Sequence, residues 1–180
     1  GLYIVYIPVI HRGLLSEYSE TVTKSGMFIQ TTYPVSEAEL TNQRIDMPYI
    51  PVIPASYIRY IGLFLDSTCL YIMGWLASLG RATDVVGVVP ESYFVYHWVD
   101  SGTTGFNPAG PGAVFVKERN WKTLAHEIGH TYGLPVGMDE EYRQGYPWGR
   151  DATGFWVDEG VSNIDINSDG RIGYIEGGGC

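Results

Sequence analysis

The chain has 180 residues, 45% of them hydrophobic and 17% charged, with 11 Lys and Arg against 20 Asp and Glu for a formal net charge of −9. That length and apolar share suit one domain burying about 70% of its unfolded surface, and they exclude intrinsic disorder. The acidic balance and the absence of any basic run argue against a nucleic-acid partner, while clustered carboxylates would suit hard cations.

Leu2 to Ile10 is rich in β-branched and aromatic residues and is predicted to be an interior strand. A helix is expected over Ser16 to Gln30 with Ser16 as its cap. A short strand over Thr31 to Val35 and a polar stretch over Ser36 to Glu39 should follow. Pro48, Pro51 and Pro54 then mark an irregular connection. Tyr60 to Leu79 is almost wholly apolar and about as long as a bilayer span, but Asp66, Ser67 and Thr68 interrupt its centre and Arg59 precedes it. No membrane span is expected; the segment reads as part of a long buried helix, from about Ser56 to Leu79, that stops at Gly80.

Further strands are predicted at Asp84 to Pro90, Tyr93 to Val99 and Ala113 to Lys117. The glycine-proline segment Ser101 to Gly112 lacks the Lys and Ser/Thr of a phosphate-cradling loop and reads as a flexible rim. A helix over Asn120 to Tyr132 is followed by a glycine-rich tail without periodicity. Alternating strands and helices give an α/β or α+β fold, a single domain over residues 1–180 with sheet and helices in 1–134 and an irregular segment in 135–180. Cys69 lies in an apolar run and is expected to be free and buried rather than bonded to Cys180. The N-terminus reads as a strand and has no secretory pattern, so an exported protein would carry its targeting segment outside this chain.

The helix over Asn120 to Tyr132 holds the chemistry. Trp121, Leu124, Ala125, Ile128 and Tyr132 recur at helical spacing and define a face for burial. His126-Glu127-Ile128-Gly129-His130 is an HExxH pattern. Histidines four residues apart project from one side of a helix, where two imidazoles can share one Zn²⁺. Glu127, about 100° around from His126, can act as base toward the water such a metal activates. Gly133 would let the chain turn back one turn after His130.

These residues, with the strand-rich half before them, resemble the zincin superfamily of zinc metallopeptidases. The specific match covers about residues 113 to 142. The resemblance implies a mixed sheet, an edge strand at Val114 to Lys117 that aligns peptide substrate above the helix, and zinc with three protein ligands. Gly133 fits the metzincin extension, but Val136 stands where His or Asp belongs, and Met138 cannot be the Met-turn residue. A thermolysin-like third ligand would be Glu159, which lies in no recognisable helix. His126, Glu127, His130, Gly133, Leu134, Glu141 and Tyr142 are similar to the pattern of the IgA-peptidase-like zincins, with a longer gap here. That resemblance implies Glu141 as third zinc ligand, with Glu140 and Asp139 as alternatives. Tyr142 or Tyr146 would donate a hydrogen bond to the oxyanion. His97 and His11, lone histidines in strand-like segments, read as structural.

Asp165, Asn167, Asp169, Arg171 and Glu176 fall at positions 1, 3, 5, 7 and 12 of a twelve-residue EF-hand loop, Arg171 through its carbonyl. Gly170 takes the sharp turn, Ile172 the apolar position, and Gly173 leaves room for water. Gly177 to Gly179 cannot form much of an exit helix and no second loop exists, so the segment resembles a dockerin-like calcium loop. A structural Ca²⁺ would suit an extracellular or cell-surface setting.

These readings lead to a zinc endopeptidase acting on protein or peptide, with Glu127 as general base and a calcium-bound tail. Two other classes compete with it. One is a catalytically inactive cell-surface binding module with structural zinc and calcium, against which Glu127 speaks. The other is a calcium-dependent interaction domain with an accidental HExxH, which zinc stoichiometry would decide.

Overall fold

The structure is a computed structural model and describes residues 1–32, 36–51, 61–97, 105–108, 112–121, 123–131, 164–166 and 172–174. β1 (Leu2–Pro8) leads into a small antiparallel pair, β2 (Ile10–His11) and β3 (Leu14–Leu15). The first helix, α1 (Tyr18–Thr32), carries the chain to a 3₁₀ turn at Glu37–Glu39 and then to β4 (Leu40–Arg44). Next come α2 (Ile61–Ala77), β5 (Asp84–Val89), α3 (Ser92–Tyr96), β6 (Gly105–Phe106), β7 (Ala113–Lys117) and α4 (Thr123–Thr131). A separate antiparallel pair, β8 (Ile164–Ile166) and β9 (Ile172–Tyr174), completes the described elements.

Among the described residues, five strands form one mixed sheet in the order β4-β1-β5-β7-β6. The first four pair in parallel, and β6 alone runs antiparallel, against β7. Alternation along each strand divides the core into two layers. Ile4 and Tyr6 of β1, Val86 and Val88 of β5 and Val114 and Val116 of β7 pack with Phe28 and Ile29 of α1 and Leu124, Ala125 and Ile128 of α4. Val5, Ile7, Val85, Val89 and Phe115 face the opposite way, onto Leu63 and Leu70 of α2 and Tyr93 and Phe94 of α3. The fold is therefore α+β, a mostly parallel sheet covered by helices on both faces.

Several elements depart from what sequence pattern predicts. Thr31 and Thr32 are helical, not the start of a strand; the second strand of the sheet is β4, a polar edge whose Asn42 and Gln43 accept hydrogen bonds from the Tyr6 and Tyr3 hydroxyls at 2.9 and 2.8 Å. Thr21 and Thr23 bond back to the carbonyls of Glu17 and Ser19, so these two hydroxyls find acceptors within the helix. Ser16 does not cap α1: its buried hydroxyl has no hydrogen-bond partner among the described residues. Tyr93 to Tyr96 belong to α3 and not to a strand, because Tyr93 and Phe94 fill the α2 layer from a single helical turn. Part of the glycine-proline rim is strand β6, and β7 is consequently internal, flanked by β5 and β6, rather than the sheet edge. The C-terminal segment is not wholly irregular, since β8 and β9 pair.

α2 buries one face only. Leu63, Asp66, Ser67 and Leu70 face the sheet, while Phe64, Leu65, Ile72, Trp75 and Leu76 are exposed, and so is the free Cys69. Residues 56–60 of the expected helix lie outside the described residues. At its end Gly80, at φ +77°, donates its N–H to the Trp75 carbonyl at 2.8 Å, the stop expected there. Among the described residues no helix is long and apolar enough to cross a membrane. The polar residues at its centre are anchors. Ser67 donates to the Ala113 carbonyl at 3.1 Å and accepts from the Ala113 N–H at 3.0 Å, and Thr68 bonds back to the Phe64 carbonyl.

Just past β7, the half-exposed-to-buried junction is fixed by Glu118. Its carboxylate accepts the backbone N–H of Glu17, before α1, and that of Glu91, before α3. Arg119, at φ 67°, donates its own N–H to Thr21 and pairs with Glu17 through its guanidinium.

Candidate metal centre

The turn after β7 sets up α4. Asn120 donates through its side chain to the Glu118 carbonyl at 2.9 Å, and the Thr123 N–H reaches the Asn120 carbonyl at 3.1 Å. α4 docks on α1 through Leu124, Ala125 and Ile128, with the Trp121 ring edge-on to Phe28 at 5.4 Å. The buried face is thus the expected one, with Tyr132 outside the described residues.

His126 and His130 both lie on α4, one turn apart along its backbone, with Glu127 between them. Glu127 is only 8% exposed. Strand β6 passes directly over it: a Cβ at Gly105 would stand 2.5 Å from Glu127 Oε1 and 2.6 Å from Thr123 Cγ2. Gly105 is the one position in that strand where absence of a side chain lets backbone approach the carboxylate so closely. The next residue points the other way, as strand alternation requires, and Phe106 meets Phe64 of α2 edge-on at 5.8 Å. Asn107 then ties the strand to the helix. Its side-chain amide donates to the Glu127 backbone carbonyl and to Thr131 Oγ1, the latter at 2.9 Å. Sequence reading assigned neither Gly105 nor Asn107 any part in a site; an Asn-Pro pair in a glycine loop signals a turn and nothing more.

Asp139, Glu140, Glu141, Tyr142, Tyr146 and Glu159 lie outside the described residues. Among the described residues no group of three His, Cys, Asp or Glu side chains could hold a metal ion. Of the calcium-loop candidates, Asp165 is in β8, whereas Asn167, Asp169, Arg171 and Glu176 lie outside the described residues. The β8–β9 register sets Asp165 opposite Gly173 and Ile166 opposite Ile172, so positions 1 and 9 of the candidate loop face each other across the backbone ladder.

A second polar cluster lies on the opposite face of the sheet. Asp66, fully buried, accepts hydrogen bonds from the Tyr49 hydroxyl at 2.9 Å and the Tyr93 hydroxyl at 2.7 Å. His97 Nε2 stands 3.5 Å from the same carboxylate, and His11 Nδ1 lies 2.9 Å from Ser92 Oγ. Burial raises the Asp66 carboxyl and the Tyr49 and Tyr93 hydroxyls above their ordinary ranges and lowers both histidines. His11 and His97 are buried in the core layer beside α2, their rings packed against Tyr93. Comparisons with protein-family models, with curated proteins and with solved structures find no match to this chain.

Proposed function

We propose that the protein is a zinc-dependent endopeptidase with a zincin-like domain. The observation that carries this reading is Glu127, buried beneath an antiparallel edge strand and adjacent in sequence to a histidine pair one helical turn apart. The donor chemistry fits zinc: two imidazoles and the following carboxylates are the N/O set that a catalytic site uses for three protein ligands. Gly105 lets the β6 backbone close over the Glu127 carboxylate, where a Cβ would collide with Oε1. His126 and His130, with Glu141 as third ligand and Glu140 and Asp139 as alternatives, would hold the ion.

Bound zinc would supply Lewis-acid polarisation of the scissile carbonyl and a water acidic enough to ionise near neutral pH. Glu127 takes a proton from the attacking water and returns it to the leaving amine. Tyr142 or Tyr146 donates to the developing oxyanion. The acidic loop from Asp165 to Glu176 binds Ca²⁺ and pins the C-terminal segment, which suits an extracellular or cell-surface protein.

Elemental analysis with a peptide-library assay tests this. The expected result is one zinc per chain, lost in a His126→Ala, His130→Ala double variant. Glu127→Gln should abolish hydrolysis while keeping that zinc. Absence of zinc after add-back, or hydrolysis retained by Glu127→Gln, would overturn the assignment.

A further inference from the structure

From the contacts between β6 and α4, we infer that Asn107 is a positioning residue for the proposed peptidase reaction. It acts as a latch that holds the sheet-edge strand down on the helix segment carrying Glu127. The inference rests on the zinc-peptidase reading for its functional consequence and on the β6–α4 contacts for its geometry.

Among the described residues, β6 pairs with β7 over Gly105–Val116 and Phe106–Phe115. A strand at the end of a sheet is held by a ladder on one side, so its position depends also on what it touches besides the ladder. Phe106 is fixed from the α2 side by Phe64. On the α4 side no side chain at Gly105 can hold the strand, because the Glu127 carboxylate and Thr123 occupy that space. Asn107 supplies a tie on that side. One amide nitrogen bridges the Glu127 carbonyl and Thr131 Oγ1, one turn further along α4. A helix carbonyl has a second lone pair for such a donor, so the bond adds to the helix without competing with it. The latch grips the backbone of the very residue assigned as general base, and it spans the turn that contains His130. Losing it frees both the strand above the Glu127 carboxylate and the end of the helix below. Displacements near 1 Å at a catalytic group cost about 100-fold in rate.

The test compares wild type, Asn107→Asp and Thr131→Val. Asn107→Asp keeps the shape of the side chain but removes the donor. Thr131 is exposed, so its replacement leaves the core untouched and keeps the latch testable if Asn107→Asp does not fold. Zinc content, kcat and KM on a peptide substrate, and amide hydrogen exchange across residues 105–108 and 123–131 are measured for each. In Asn107→Asp, kcat should fall about 100-fold with KM within about twofold and zinc still at one per chain. Amide exchange in both segments should accelerate, and Thr131→Val should move the same quantities less far. Asn107→Ser, which restores a donor, should recover part of kcat and of the exchange protection. An active, zinc-loaded wild type whose kcat and exchange are unchanged in Asn107→Asp overturns the latch alone. Lost zinc in that variant also overturns it, by making Asn107 a determinant of metal retention. A wild type with neither zinc nor hydrolysis overturns the peptidase reading and the positioning role together.

Discussion

Tyr93 places its hydroxyl 2.7 Å from Oδ2 of Asp66 in the layer between α2 and the sheet, and Tyr49 bonds the other oxygen of the same carboxylate at 2.9 Å. A buried carboxylate serving two phenols is worth most to the groups it would leave behind. Asp66→Ala is expected to cost about 2–4 kcal/mol, because both hydroxyls lose their acceptor inside the core. Urea unfolding measures it. Adding Tyr93→Phe to Asp66→Ala should recover part of the loss, since the hydroxyl left without its acceptor is then gone. A cost below about 0.5 kcal/mol, the size of an ordinary surface change, would show that the cluster does not sustain the layer.

His97 makes stability fall toward acid. Its folded-state pKa lies below the ordinary 6.5 because burial disfavours the imidazolium, so below that pH the unfolded chain binds more protons than the folded one. Stability is complete above pH 6.5 and is lost as pH falls from there toward the lowered folded value. His11, lowered by burial, His97 and Arg12, acts in the same sense. Asp66 acts oppositely, since burial raises its carboxyl above the ordinary 3.8 and protonation in the folded state adds stability as pH falls. Tm should therefore drop between pH 7.5 and 5.5, and His97→Gln should flatten that slope. An unchanged slope in the variant would assign the acid sensitivity elsewhere.

If the proposed zinc centre forms, Glu141→Ala should weaken zinc affinity by more than about 100-fold, beyond what loss of an outer-shell partner costs. Glu140→Ala and Asp139→Ala should do less. Competition with a zinc-binding dye ranks the three, and a different order reassigns the third ligand.

Calcium should raise thermal stability through the β8–β9 segment. At a free calcium concentration a hundredfold above Kd, linkage gives about 2.7 kcal/mol. Asp165→Ala is expected to remove most of that rise in a thermal melt with and without millimolar calcium. A calcium response that survives in Asp165→Ala would dismiss the loop.

What the sequence makes legible here follows from what each element buries. β1, β5 and β7 are recognisable as apolar runs because they are covered on both faces, so nearly every position is hydrophobic. β4 carries Leu-Thr-Asn-Gln-Arg and is invisible to hydrophobicity, since an edge strand can satisfy itself with polar neighbours. α3 misleads because Tyr93, Phe94 and Val95 are strand formers, and the packing of Tyr93 and Phe94 overrides propensity in a short helix. On the site helix, the apolar face that docks α4 on α1 is readable from spacing alone. Gly105 and Asn107 are not readable, because their importance lies in contacts with a helix some twenty residues away that no local pattern encodes.

Glu118 gives the fold an order of completion. It follows β7, yet its carboxylate receives the N–H that precedes α1, 101 residues earlier, and the N–H that precedes α3, 27 residues earlier. Neither helix entrance can be finished while the ribosome has made only the first half of the chain. α1 and α3 cover opposite faces of the sheet, so both faces wait for the same side chain. A nascent chain halted before β7, and so before Glu118, would hold β1, β4 and β5 with open helix starts and an unpaired sheet edge at β5. That edge is the surface by which incomplete chains of this protein would meet one another.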